Sequence, residues 1–258
     1  MSVFGRRWPH DRWIVVALAL VAAWPASAVT GKAQELVAQA DQLQAAPNAS
    51  DESVRRAIAL YEEAAKLEPN SVEIQRKLAD ATLTMAAWTS ADRLRWYQLG
   101  KTAAERAVAL DQNDAEALFL LAATRGQIAS LQKDLGGLFV PQELERLLSR
   151  ALASNPRHAR ALHMMGVLLE RTPAPLRLSM KGSAGDAEKY FVAAVEADPN
   201  FSEARLDLAK HYASRRQTAQ ARAQLQAIVE MKSPTRPRAW RDKHRPAAEA
   251  LLKELPAE

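Results

Sequence analysis

The sequence predicts an all-α chain, folded as a curved solenoid of about five stacked helical hairpins and a closing C-terminal helix. The first observation is a composition rich in strong helix formers, with only 9 glycines and 13 prolines in 258 residues. The second is a set of small and aromatic residues that occurs twice with the same spacing. The third is a helix-ending position that recurs at 69, 112, 156 and 199, every 43 or 44 residues.

The repeated set defines the second helix of each hairpin. Its two copies are Ala57, Tyr61, Ala64 and Pro69, and then Ala187, Phe191, Ala194 and Pro199. The alanines lie on one helical face where a neighbouring helix approaches closely, the aromatic ring fills the space beside them, and proline ends the helix. Weaker copies lie between these two, and one of them has Gln112 in place of the proline.

A first helix is predicted after each stop position. The four helices begin at Val72, Ala115, Ala159 and Ser202, and each contains a large residue followed by a small one. The spacing exceeds the roughly 34 residues of a common helical-hairpin repeat, so we expect extra residues inside the hairpins, in WTSADRLRWY, LQKDLGGLFVP and RTPAPLRLSMKGSAG. A hairpin at 31–67 and a capping helix at 238–255 complete a single domain over 29–258.

The start of the chain has the three parts of a secretory signal peptide. Arginines at 6, 7 and 12 precede an apolar run over 13–24, and Ala26-Ser27-Ala28 follows. The run is shorter than the roughly 20 residues of a membrane-spanning helix. We therefore expect residues 1–28 to be removed and the protein to be periplasmic or secreted, with an uncleaved N-terminal anchor as the alternative.

Motifs for catalysis or cofactor binding are not found in the sequence. Gly100-Lys101-Thr102 ends like a phosphate-binding loop, but the upstream glycine is replaced by Arg95. The histidines lack the spacing of a helical metal site, no nucleophile elbow occurs, and cysteine is absent. A net charge of +5 is too small to indicate nucleic-acid binding. The sequence predicts no catalytic residue, no metal, no cofactor and no nucleic-acid partner.

The candidate site is the concave groove, because the first helices of stacked hairpins line that surface. The residues predicted to face it are Arg76, Asp80, Glu116, Phe119, Arg160, His163, Val167, Leu206 and Lys210. Apolar groups and cations together suit an amphipathic ligand with an anionic end, such as a fatty acid, a phospholipid or a peptide carboxylate. The alternative is that these side chains only pack or solvate the groove.

The segments AERAVALDQNDAEALFLLA, LLSRALASNPRHARALHMMG and GDAEKYFVAAVEADPNFSEARLDLAKHY resemble tetratricopeptide repeats. With its long insertions the chain is similar to the regulator of microtubule dynamics family, and its last third resembles the T component of tripartite periplasmic transporters. These resemblances imply binding of peptides, partner proteins or lipid-like ligands, and no enzymatic activity. A cytoskeletal role is not expected because it conflicts with the export signal, and the lipidated cysteine of T components is missing.

We therefore expect a binding module that holds a partner protein, a peptide or a lipid-like ligand in its concave groove. The alternative is a cell-envelope scaffold that acts through its convex surface or its ends. Near the C-terminus, KSPTRPRAWRDKHRP combines six cations with Trp240. This segment either engages an acidic membrane surface or an anionic partner, or it is a solvated connection on which Trp240 packs. Membrane association is expected only through this segment or a retained N-terminus.

Overall fold

A computed structural model describes residues 26–46, 49–132, 140–177, 180 and 186–256. The secondary structure in this part of the chain is helical, with no β-strand. The helices are α1 Ala26–Ala45, α2 Asp51–Leu67, α3 Val72–Trp88, α4 Arg93–Leu110, α5 Ala115–Gln132, α6 Val140–Ser154, α7 Ala159–Arg171, α8 Ala174–Arg177, α9 Ala187–Ala197, α10 Ser202–Ser214, α11 Thr218–Val229, α12 Pro237–Ala239 and α13 Arg245–Glu254. A π-helical segment, Trp240–His244, joins the last two.

The helices pair into the five predicted hairpins. The pairs are α1 with α2, α3 with α4, α5 with α6, α7 with α9, and α10 with α11, and α13 packs on α11 as the closing helix. The first helices of the second to fifth hairpins begin at the four predicted residues. Successive hairpins pack on each other and share a nearly continuous apolar core. The all-α solenoid predicted from the sequence is confirmed.

The signal peptide predicted at 1–28 lies almost entirely outside the described residues. The chain is described from Ala26, so the predicted cleavage point after Ala28 falls in the first turn of α1. Cleavage therefore stays a prediction. Each helix in the described residues is too short or too polar to cross a bilayer.

The repeated alanines and aromatic rings lie where helices approach most closely. Ala64 is buried in a cluster with Leu36 of α1 and Ile74 of α3, so it contacts both its own hairpin and the next one. Glycine is used in the same way: a Cβ atom on Gly166 would lie 2.8 Å from the ring of Phe191. Small side chains at these positions therefore set the distance between helices.

The turns between hairpins keep one geometry although their sequences differ. In each turn a backbone N–H donates to the carbonyl three residues earlier, for example from Ser71 to Glu68 and from Asp114 to Asp111. The side chains of Ser71, Asp114 and His158 then cap the following first helix. Gln112 occupies the proline position of such a turn without altering it. The turn itself ends the preceding helix there, and the Asp114 cap begins the next one.

The extra residues of the hairpins are accommodated differently from one hairpin to another. In the second hairpin they lengthen both helices, and residues 89–92 alone connect α3 to α4, with Asp92 in a left-handed conformation at φ 55°. Residues 133–139 of the third hairpin lie outside the described part. In the fourth, Met180 is buried and belongs to the main core.

Candidate binding cavity in the concave face

A cavity of about 340 Å³ opens in the concave face of the solenoid. Its walls are formed by α3, α5, α7 and α10, and one side is closed by residues that follow Arg236. The apolar part of the lining comes from nine side chains: Leu83, Ala87, Trp88, Tyr97, Phe119, Ala123, Met164, Val167 and Phe201. The first helices therefore face the concave side, as the stacking of hairpins predicts.

Four of the nine predicted groove residues line this cavity: Phe119, Arg160, His163 and Val167. Arg76, Asp80, Glu116 and Lys210 lie outside its lining and form ion pairs. The ninth residue, Leu206, is 6% exposed and belongs to an apolar cluster with residues of α11 and α13. Leu206 is not a groove contact, because it is buried in a separate apolar cluster that includes the closing helix.

The cations predicted to bind an anionic ligand are already paired within the protein. Arg160 donates to Glu116 Oε1 at 2.5 Å and to Asp80 Oδ1 at 2.6 Å, and its guanidinium lies 4.4 Å from the centre of the Phe119 ring. Burial alone would raise the pKa of Asp80, but the charges of Arg160 and Arg236 outweigh it and hold that pKa below its usual value. Arg160 therefore holds α3, α5 and α7 together in the wall of the groove.

A second polar cluster lies on the α7 and α10 walls. His163 Nε2 is 2.9 Å from Asp207 Oδ2, and Lys210 Nζ donates to the other carboxylate oxygen at 3.1 Å. Burial opposes the charged form of Asp207, but the His163 contact and the Lys210 charge lower its pKa to about 2. The imidazole of His163 also meets the edge of the Phe201 ring at 5.3 Å between centroids. Both predicted groove residues of this wall, His163 and Lys210, are thus engaged with Asp207.

Sequence analysis missed several residues of the cavity. Trp88 and Tyr97 line it, although the sequence places their segment in an insertion between helices. Helical periodicity through that segment is the signal that could have found them. Arg171 at the end of α7 also lines the cavity; it is exposed and makes no hydrogen bond or ion pair with the described part of the chain. Among the cavity cations of the described residues, Arg171 is therefore the one left for a ligand.

Residues 236–243, which we call the C-terminal strap, cross the concave face. Arg238 Nη2 donates to Asp51 of α2 at 2.7 Å, and Arg236 Nη2 donates to Asp80 of α3 at 3.3 Å. Lys243 Nζ donates to the carbonyl of Ala87 at 3.0 Å. The strap thus connects the fifth hairpin to the first two. In this fold the basic segment of the sequence contacts the protein's own carboxylates, and Trp240 packs on the closing helix.

Comparison with known families identifies the repeats. The model for regulator of microtubule dynamics protein 1–3 matches residues 36–171, and a tetratricopeptide-repeat model matches residues 178–241. No curated protein matches the chain in sequence. Neither family match concerns the T component of tripartite transporters, so that resemblance stays a prediction.

Solved structures agree on the fold. A thermophilic tetratricopeptide-repeat protein of Thermus thermophilus is 20% identical and has a TM-score of 0.62, with 83% of this chain and 98% of that chain covered. The pilF protein of Pseudomonas aeruginosa is 18% identical with a TM-score of 0.52, over 88% and 93% of the two chains. The chain therefore has the tetratricopeptide fold of protein- and peptide-binding modules. Because the first family model covers more than half of its length, the chain belongs to the regulator of microtubule dynamics protein 1–3 family.

Proposed function

We propose that this protein is an exported, non-catalytic binding module. It holds a segment of a partner protein, a peptide or an amphipathic, lipid-like ligand in the cavity of its concave face. The observation that carries the proposal is the cavity itself. Its volume of about 340 Å³ lies in the range of roughly 300 to 1,000 Å³ that is typical of ligand sites.

The lining of the cavity favours a ligand with an apolar part and one anionic group. Phe119, Met164 and Val167 offer apolar surface, so an acyl chain or an apolar peptide side chain gains free energy by leaving water there. The exposed guanidinium of Arg171 lies on the same cavity, where a carboxylate or phosphate would form a charge-assisted hydrogen bond. This pairing replaces the one predicted with Arg76, Arg160 and Lys210.

The non-catalytic part of the proposal is supported by the sequence, which contains no cysteine, no nucleophile elbow and no histidine spacing typical of a helical metal site. On the cavity wall, the guanidinium of Arg160 is held by Asp80 and Glu116, so we infer that it positions the wall.

Export is supported by the N-terminal series of charged, apolar and small residues. Processing after Ala28 gives a mature protein that begins at Val29. Mass analysis of protein from the envelope fraction of the natural host tests this step. An intact Met1 on protein that stays in the cytoplasm would overturn the export part of the proposal and leave the cavity part untouched.

Native mass spectrometry of protein purified from its own host tests the cavity. Gln127 is exposed and lines the cavity, so Gln127→Trp should block it with little effect on the core. Gln98→Trp on α4 is the matched control, because Gln98 is equally exposed and lies outside the cavity. We expect a co-purified mass, or a bound partner, on the wild type and on Gln98→Trp that is lost from Gln127→Trp.

The opposite pattern identifies the alternative function. Loss of the partner from Gln98→Trp with retention on Gln127→Trp would place binding on the convex surface, as expected of a cell-envelope scaffold. Equal retention by both variants would exclude the cavity as the binding site. Thermal melting of each variant shows whether any loss reflects unfolding.

A further inference from the structure

The strap makes polar contacts with the first two hairpins, and two of its cations lie over one indole ring. The Arg238 guanidinium lies 4.0 Å from the centre of the Trp88 ring, and Lys243 Nζ lies 3.9 Å from it. Cations at such distances from an indole are attracted by its π-electrons. Asp51 accepts from Arg238 beside the ring, and Asp80, eight residues before Trp88 on α3, accepts from Arg236. Two carboxylates and an indole therefore form a surface that matches basic side chains.

The strap does not need this surface in order to stay folded. Trp240 donates from Nε1 to the carbonyl of Ile228 at 2.8 Å, and it packs in the apolar cluster of α10, α11 and α13. Thr235 donates from its backbone N–H to the Asn200 carbonyl and from its hydroxyl to Asp198. These contacts hold the start of the strap on the turn before α10 and the middle of the strap on the fifth hairpin and the closing helix. Its cationic contacts across the groove are therefore a separate and exchangeable set.

The fit of the strap in the groove is also incomplete. Arg238 Nη1 is buried and makes no hydrogen bond with the described part of the chain, which is costly for a charged group. Burial lowers the pKa of Lys243, so its charge is partly desolvated there. The strap includes a π-helical segment, a geometry that is frequent at functional sites. A segment with better-placed cations would bind this surface more favourably.

We infer that the surface formed by Asp51, Asp80 and Trp88 is a binding site for a basic, arginine- or lysine-containing segment of a partner protein, which the C-terminal strap fills in the free protein. This inference rests on the proposed function, since Arg236 and Lys243 of the strap also line the cavity. A partner that carries such a segment displaces the strap and widens the cavity at the same step. The partner recognised here is basic, while the group held at Arg171 is anionic.

A peptide with the sequence of residues 234–245 serves as the probe, added to the full mature chain. The wild type should bind it weakly, because a tethered segment competes at an effective concentration on the order of millimolar. The double variant Arg238→Ala with Lys243→Ala frees Asp51 and the Trp88 ring, leaves the contact of Arg236 with Asp80 in place, and keeps the anchors of the strap. We expect this variant to bind the labelled peptide at least about tenfold more tightly than the wild type does.

Matched controls separate this site from general attraction between charges. Lys232→Ala with Lys253→Ala removes two exposed cations outside the strap and should leave peptide binding at the wild-type level. Asp51→Asn added to the strap variant should weaken binding several-fold. A peptide with glutamine in place of Arg238 and Lys243 should not bind. Arg238→Gln alone is a milder variant, and it should shift binding in the same direction if the double variant is unstable.

The inference is wrong if the wild type and both strap variants bind the peptide equally, or if none of them binds it. Its failure can be told apart from failure of the proposed function. A co-purified ligand that is lost with Gln127→Trp, together with no peptide binding, removes the strap site and leaves the cavity function. Peptide binding without any ligand that depends on the cavity gives the reverse result.

Discussion

The contacts between helices and the contacts across the concave face follow different physical rules. Within and between hairpins, alanine and one aromatic ring set close distances, as at Ala64 with Tyr61 and at Ala194 with Phe191, all fully buried. On the concave face the contacts are ion pairs between residues far apart in sequence, such as Arg160 with Asp80. The first kind recurs with the repeat and defines the fold. The second kind joins particular charged residues and gives this protein its individual groove.

The helix contacts should be the more sensitive to side-chain size. Leucine in place of Ala64 or of Ala194 forces helices apart, because each methyl group already lies in a buried cluster. We expect a loss of about 1 to 3 kcal/mol in the free energy of unfolding for each variant. Thermal and denaturant unfolding measure it, with the exposed Ala38→Leu of α1 as the control. Two variants that melt like the wild type would show that the repeat register is wrong.

The concave face should be more sensitive to charge than to size. Arg160→Ala leaves Asp80 and Glu116 without their shared guanidinium. Since these groups keep some solvent contact, we expect a loss of about 1 to 2 kcal/mol in the free energy of unfolding. Adding Asp80→Asn to Arg160→Ala should recover part of that loss in a double-mutant cycle. Strictly additive effects would show that the two groups do not interact.

The smallest expected effect is a pH dependence from the α10 wall. The folded pKa of Asp207 is about 2, below its ordinary 3.8, so its stabilising contribution is present above about pH 4 and lost as the pH falls toward 2. We expect about 1 kcal/mol from this group, less than the full shift because some solvent contact remains. Asp207→Asn should flatten this part of the curve of stability against pH. An unchanged curve would contradict the lowered pKa.

Residue patterns predicted the fold well because the contacts that define it are local and periodic. The starts of α3, α5, α7 and α10 follow from the repeat spacing, and Gly166 follows from the rule of a large residue before a small one. The cavity was predicted less completely. The residues predicted to face the groove included Phe119 and Val167, which line the cavity. The same prediction did not show that Leu206 is covered by the closing helix.

Residue order is enough to specify the number of hairpins, the closing helix and the side of each first helix that faces the groove. Helical periodicity and the spacing of small contact residues are patterns within a few tens of residues, so the sequence alone predicts them. The pairing of the groove cations and the path of the strap depend instead on the assembled solenoid. Arg238 meets Asp51 across 187 positions of sequence, and only the curvature accumulated over all five hairpins brings such distant charges together.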